Sequence, residues 1–416
     1  MTGITPSKSV SFWDQAMEYS LYFIMAGIAI SNAMTSVGVG IVLGVWALRK
    51  ICLREGLRSP KTLWALAVVL FLGYAASLLN SQYLGKSLYA LFFKYGKYLL
   101  LMFAIEESVR EKRVAVGMAL VACVAAMVLC WDAFYQFFSG RDLLLLREPG
   151  RLDVYYGTRE FHFPRVTATF PAANTFASYL VPILMLALAL SFFYANKKRG
   201  ASWIKAGCLG SILAGLLLTF SRGGILACLS GVLVLIMLAK KKILWLIPVI
   251  FLAAFLAGKN LYGNRAASAD AMDPTLQTRI LMLQDATEMF RTHPWTGIGL
   301  NTYYKVHEKS RKSALPPSYA HNTYVQMLTE VGIIGTASFL ALLIYWFGYG
   351  LRALRRSCDP EAKLLLSGVI AGVFGLCVAS FFDNVLFEML PATLFWILLG
   401  WGSALMRFIG KDNPGP

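Results

Sequence analysis

The sequence predicts an all-α polytopic membrane protein of about twelve transmembrane helices, on three observations. Hydrophobic residues make up 57% of the chain against 15% charged, with a mean hydropathy of +0.60, more apolar surface than a soluble globular protein can bury. Apolar stretches long enough to cross a hydrocarbon core of about 30 Å recur from end to end. Basic residues gather at alternate ends of those stretches, the pattern that orients a helical bundle across a bilayer.

The expected spans cover 17–32, 34–48, 63–79, 87–105, 114–137, 173–194, 203–220, 224–239, 243–258, 323–349, 364–382 and 386–406. One set of ends carries Arg49, Lys50, Arg54, Arg58 and Lys61, then Arg110, Lys112 and Arg113, then Lys197, Lys198, Arg199 and Lys205. It continues with Lys240 to Lys242, Arg352, Arg355, Arg356, Lys363, Arg407 and Lys411. The positive-inside rule puts these ends and both termini in the cytoplasm. The opposite side has short turns near Ser31, 80–85, 221–223 and 383–388, and two long segments, 138–172 and 259–322. Residues 1–416 thus read as one membrane domain whose two long outer segments form its functional face, the larger being a helical subdomain.

The net charge of +17 would suit nucleic acid if it were concentrated on one surface. Spread over helix ends it reports topology instead, and no nucleotide-binding glycine motif followed by Lys-Ser/Thr is present. Asp14 and Glu18 precede the first apolar run where a cleavable signal would be basic, so the first helix is expected to stay as an anchor. The seven cysteines lie in spans or on the basic side without CxxC spacing, and neither a disulfide nor a zinc site is expected.

Within the larger outer segment, Leu276, Ile280, Leu283 and Phe290 recur at roughly helical spacing, with Pro274 at the start and Pro294 beyond the end. Residues 275–292 are therefore expected to form an amphipathic helix lying on the bundle through that face. The WTGIGL run (295–300) reads as a glycine-rich turn, and Pro316-Pro317 as an extended stretch before the next span. The first outer segment carries Arg141, Arg147, Arg151, Arg159 and Arg165.

Six ionisable side chains stand out as candidates for chemistry or for an internal polar site. Arg222, in TFSRGG, sits at an outer turn between two spans, against the positive-inside pattern. Gly223 and Gly224 would let backbone and helix N–H groups approach an anion beside the guanidinium; snorkelling to headgroup phosphates is the plain alternative. Arg279, early on the loop helix, could converge on the same phosphate or be a surface charge. His321 opens HNTYVQMLTEVGIIG; a neutral imidazole there suits a general base toward a sugar hydroxyl, or simply caps a helix. His293 reads as punctuation before Pro294, and His162 and His307 have no evident partners. Glu330, in an apolar span, should face protein and orient backbone or a neighbouring helix. Lys94 and Lys97, three residues apart in FFKYGKYLL, fall on one face in mid-span and line an internal cavity unless they snorkel. Outer carboxylates such as Asp270, Asp273, Asp285 and Glu288 read as solvated, so no metal and no other cofactor is expected.

SRGG at an outer turn, the Arg279 helix followed by HPWTGIGLNTY, and AHNTYVQMLTEVGIIG occur here in order. Together they resemble the O-antigen ligase and polymerase superfamily of integral membrane glycosyltransferases, over about residues 165 to 340 at motif level. The resemblance implies a GT-C-like enzyme of the bacterial inner membrane using undecaprenyl-diphosphate-linked glycans at its periplasmic face. It further implies that His321 activates the acceptor hydroxyl and that Arg222 and Arg279 bind the lipid diphosphate. Arg165, in PRVTATFPAANTFA, matches a recurring arginine before an asparagine-containing turn, although the family's usual second proline near that asparagine is missing here.

The expected function is an O-antigen ligase passing a glycan from undecaprenyl diphosphate to a sugar hydroxyl of lipid A-core, with inversion and without a metal. A related polymerase or a protein O-oligosaccharyltransferase would share the donor and differ in acceptor. A flippase would share the helical plan without the chemistry.

Overall fold

A computed structural model describes residues 8–156, 159–193, 201–240, 245–246, 248–249, 274–310 and 319–412. Apolar runs with no proton donor or acceptor to offer the lipid must satisfy their backbone internally, which selects helices. These are α1 Lys8–Ile30, α2 Asn32–Leu53, α3 Lys61–Ala75, α4 Leu84–Tyr89, α5 Lys97–Ser108, α6 Lys112–Ser139, α7 Ala173–Phe193, α8 Ala201–Leu218 and α9 Arg222–Ala239. The chain continues with α10 Pro274–Thr292, α11 Tyr303–Ser310, α12 Thr323–Arg356, α13 Pro360–Ala379 and α14 Met389–Asp412. Among the described residues nine helical stretches are long and apolar enough to cross a membrane. Every expected span except 243–258 falls on a helix, and that one lies largely outside the described residues. The core runs along α7, α13 and α14, most of whose side chains are buried, with Trp401 of α14 and Trp346 of α12 among its largest members.

The basic ends of the spans meet on one face, and carboxylates there hold them together. Arg49 bonds Asp14 at 2.7 Å, Arg110 bonds Glu55 at 2.7 Å and Arg407 bonds Glu106 at 2.8 Å. Lys112 reaches Asp359 at 2.7 Å. Ion pairs that join α1, α2, α5, α6, α13 and α14 therefore mark one end of the bundle, as the charge pattern requires. All seven cysteines are unbridged.

The first outer segment is not loop throughout. Gly150–Tyr156 (β1) and Arg159–Arg165 (β2) form an antiparallel ribbon, with Leu152 opposite Phe163, Val154 opposite Phe161 and Gly150 opposite Arg165. Leu152, Val154 and Tyr156, then Phe161 and Phe163, alternate with polar residues, the period of a strand. This small ribbon delivers Arg165 to the end of the bundle opposite the ion pairs.

The helix that His321 introduces is broken. Gly332, at φ +64°, interrupts α12, and the 294–299 segment fits into the gap. Ile298 and Gly299 donate N–H bonds to the carbonyls of Thr329 and Glu330, while Ile333 and Ile334 donate to those of Pro294 and Trp295. The interrupted helix thus finds partners for its freed backbone groups at a depth where water is scarce. Gly297 and Gly299 also have positive φ, and a Cβ on Gly297 would lie 2.3 Å from the Glu330 carbonyl oxygen. WTGIGL is a splice into a broken helix rather than the simple turn its composition suggests.

Glu330 is buried and accepts from the backbone N–H of Asn301 at 2.6 Å and Tyr303 at 3.2 Å. The Lys94 Nζ donates to Asn301 Oδ1 at 3.2 Å. Residues 90–96 wind as a π-helix, which rotates Lys94 away from Lys97. Lys94 sits against the Phe387 ring and Lys97 over the Tyr98 ring, so the two do not share one face as a regular helix would place them. A narrow cleft beside Glu330 is lined by Tyr74, Tyr95, Met327, Phe387 and Trp396, and neither lysine borders it.

Candidate active site

The site is assembled by three turns at the end of the bundle opposite the ion pairs. The first is SRGG. Phe220 takes a left-handed conformation (φ 48°), Ser221 caps α9 by accepting from the Gly224 N–H at 3.1 Å, and Arg222 begins the helix, exposed. A Cβ on Gly223 would lie 2.7 Å from Phe382 Cβ, and one on Gly224 would lie 2.6 Å from Ala177 Cβ. These glycines therefore let the turn pack against its protein neighbours, whereas the sequence reading gave them to a ligand. The Gly224 N–H is satisfied by its own cap.

His321 lies just before α12. Asn322 caps the helix by accepting from the N–H groups of Tyr324 at 3.0 Å and Val325 at 3.1 Å. Its amide donates to the Phe381 carbonyl at 3.0 Å, the Thr323 N–H donates to the Ser380 carbonyl at 2.8 Å, and the Thr323 hydroxyl donates to the Asp383 carbonyl at 3.0 Å. Three bonds thus rivet this helix start to the turn between α13 and α14. His321 itself is left-handed (φ 48°), a conformation disfavoured for a side-chain-bearing residue and tolerated where its surroundings over-determine it.

The outcome is a line of polar contacts. His321 Nδ1 is 3.2 Å from Asp383 Oδ1. Asp383 Oδ2 accepts from Asn174 Nδ2 at 3.0 Å, and Asn174 Oδ1 accepts from Arg165 Nη2 at 3.0 Å. Arg165 Nε donates to the Thr219 carbonyl at 3.0 Å, three residues before Arg222. Burial alone would raise the Asp383 carboxyl, but the hydrogen bond and charge of His321, with the Asn384 N–H and Asn174, hold it below the usual range. Burial, reinforced by the positive charges of Arg222 and Arg279, pushes Arg165 down, while Asp383 opposes them. Arg222 and Arg279 thus each lie near enough to Arg165 for their charge to act on it, and guanidiniums so placed are suited to holding an anion.

Arg279 reaches this neighbourhood from α10. That helix forms at Pro274–Thr292 as expected, but its buried face is Met282, Ala286 and Met289, while Ile280 and Leu283 are exposed. The contact face is rotated from the one the apolar spacing suggested, because a buried carboxylate takes part in it: Asp285 Oδ2 lies 3.2 Å from His307 Nε2. The Asp285–His307 pair ties α10 to α11 and had no signature in the sequence. Residues 311–318, with the expected extended Pro316-Pro317 stretch, and Asp270 and Asp273 lie outside the described residues.

A second carboxyl completes the site. Glu388 accepts from the Thr175 hydroxyl and lines a shallow dent with Asn174, Ser178 and Asp383. Burial raises it to about 7, with the Asp383 charge adding and the Thr175 bond and His321 opposing. Asp383 and Glu388 read in sequence as nothing more than a short outer turn. Two acidic residues in a six-residue turn between spans were the available signal.

The sequence-predicted residues Arg165, Arg222, Arg279 and His321 thus share one neighbourhood, and Asp383, Asn174 and Glu388 join them. Residues 206–340 match the O-antigen ligase family model, a stretch that includes Arg222, Arg279 and His321 and ends short of Asp383. No curated protein matches the chain. The matched segment, set in a bundle of apolar spans, supplies two of the arginines and the histidine, and over residues 206–340 the chain is similar to the O-antigen ligase family.

Proposed function

We propose that the protein is an O-antigen ligase of the bacterial inner membrane. It transfers a glycan from undecaprenyl diphosphate to a sugar hydroxyl of lipid A-core at the periplasmic face. The observation that carries this reading is an imidazole held by a carboxylate beside three clustered guanidiniums, at the end of the bundle away from its basic ends.

With its Nδ1–H donated to Asp383, His321 keeps a lone pair on Nε2. That nitrogen accepts the proton of the acceptor hydroxyl as the oxygen attacks the anomeric carbon. The new C–O bond forms as the bond to the diphosphate oxygen breaks, the electron pair leaves on the diphosphate, and displacement from the opposite face inverts the centre. Arg222, Arg279 and Arg165 meet the charge that develops on the leaving group, so the step needs no metal. The membrane confines both lipid-linked substrates to one leaflet and raises their encounter frequency.

The test is transfer from undecaprenyl-diphosphate glycan to lipid A-core by the purified protein with EDTA present, for wild type and His321→Ala. Wild-type product with a loss of about 10²–10⁴-fold in the variant is expected. Elongated lipid-linked glycan in place of modified lipid A-core would move the assignment to a polymerase. Full activity in the variant would reduce His321 to a helix cap.

A further inference from the structure

The chain between α6 and β1 folds back on itself. Asp142 closes the loop: its N–H donates to the Arg147 carbonyl at 3.0 Å, and its carboxylate accepts from the N–H groups of Leu145 at 2.5 Å and Arg147 at 2.6 Å. The Asp142 side chain is buried, whereas the residues it frames are exposed: Leu143 by 60%, Leu144 by 49%, Leu145 by 39% and Leu146 by 69%. Four consecutive leucines on a hydrogen-bonded turn are a costly thing to show to water.

Their height explains them. At 28 residues, α6 is about 42 Å long, enough to span hydrocarbon and both headgroup layers, about 40–45 Å. Its end at Ser139 therefore stands at the outer edge of the headgroups. Yet the Leu143 N–H donates to Asp132 Oδ1 at 2.7 Å, and Gln136 Nε2 donates to the Arg147 carbonyl at 3.1 Å. Asp132 lies seven residues before Ser139, about 10 Å lower. The turn has descended alongside α6 by two helical turns.

At that depth α6 also carries an exposed apolar stripe. Leu120, Val124, Val128, Trp131, Tyr135 and Phe138 are exposed along α6 at helical spacing, ending in the aromatic residues typical of a membrane interface. We propose that Leu143–Leu146 form a re-entrant wedge whose occupant is the acyl chains of the leaflet on the site side, with the exposed Arg141 guanidinium, paired with Glu148 at 3.4 Å, at its phosphates.

The wedge is wired to the site. Arg147 Nη1 donates to the Thr169 carbonyl at 2.9 Å, and Gln136 Oε1 accepts from the N–H groups of Thr167 and Ala168. The segment that follows Arg165 is thereby held at a fixed depth. Under the proposed function, which this one consequence requires, that depth presents Arg165 to a lipid-linked diphosphate at headgroup level.

The test uses the full chain in lipid nanodiscs with Leu144→Trp, subtracting the emission of the ten native tryptophans by comparison with wild type. Nanodisc lipids brominated on the acyl chains should quench the added emission at least twofold, and aqueous iodide should leave it unchanged. Quenching by iodide alone would place the turn in water and overturn the wedge. Quenching by neither would mean that a protein partner or a second copy covers it, and would overturn it equally. Leu146→Trp repeats the measurement should the first variant not fold, and transfer activity does not enter the readout.

Discussion

At the residue scale the site rests on His321 being held from both sides. Its backbone is left-handed and pinned through Asn322 and Thr323 to the 380–383 turn, and its ring faces the carboxylate of that same turn. Under the proposed function Asp383 is a positioning residue, one that would set which imidazole nitrogen carries the proton and compensate the charge that appears after proton transfer. Asp383→Asn should lower kcat for glycan transfer by about 10²-fold with KM for the lipid-linked donor little changed. A KM rise with kcat preserved would instead mean that Asp383 serves donor binding. Glu388 supplies a titration with a definite sign. Because its folded-state value is raised from 4.5 to about 7, the folded protein holds that proton more tightly than the unfolded chain. The stability it contributes is complete below about pH 4.5 and is lost as pH rises through about 7. Glu388→Gln should flatten the fall of melting temperature across that window, measured in nanodiscs against wild type; parallel curves would show that Glu388 does not titrate there.

At the element scale the decisive feature is the break in α12. A helix interrupted inside a bundle leaves carbonyls and N–H groups without partners, and the 294–299 segment supplies them through four backbone bonds. The approach is so close that a Cβ on Gly332 would lie 2.4 Å from the Trp295 carbonyl oxygen, at a φ that side-chain-bearing residues avoid. Gly332→Ala should therefore destabilise the fold by about 1–3 kcal/mol or more, read as a drop of several degrees in melting temperature. A control at Gly348, where nothing lies within 4 Å of an added Cβ, should leave it unchanged. Equal melting temperatures for the two variants would contradict the splice. The ribbon of residues 150–165 plays a comparable part on the other side of the site, ending in Arg165 where Val166 donates its N–H to the Leu218 carbonyl.

At the scale of the whole molecule, charge organises the two ends differently. One end couples basic residues to buried Glu106 and Glu107 and to half-buried Glu55; the other brings Arg165 within the influence of Arg222, Arg279 and Asp383. Removing a partner from a buried pair is costly because the remaining charge loses its compensation, so the first end is structural. Orientation follows from the positive-inside rule, and the native thiols test it: Cys52 and Cys358 are exposed at the basic end. A membrane-impermeant maleimide should label them in inverted vesicles and not in intact spheroplasts. Labelling in spheroplasts would turn the molecule over and place the site in the cytoplasm.

The spans, their alternation and the end of the bundle that bears the site were legible because burial in lipid imposes long apolar runs and positive-inside charge, both local properties of the chain. Arg222, Arg279 and His321 were legible for a related reason: each is an ionisable residue where an apolar pattern offers no cause for one. Asp383, Asn174 and Glu388 were not, since they meet only when Gly223 lets the turn after α13 lie against SRGG, Gly224 lets α9 close on α7, and the cap of α12 bonds to that turn. The break at Gly332, the π-turn that parts Lys94 from Lys97 and the rotated face of α10 were equally hidden. Each is settled by contacts between segments far apart in sequence, which override local periodicity because an unpaired buried polar group costs more than an irregular backbone.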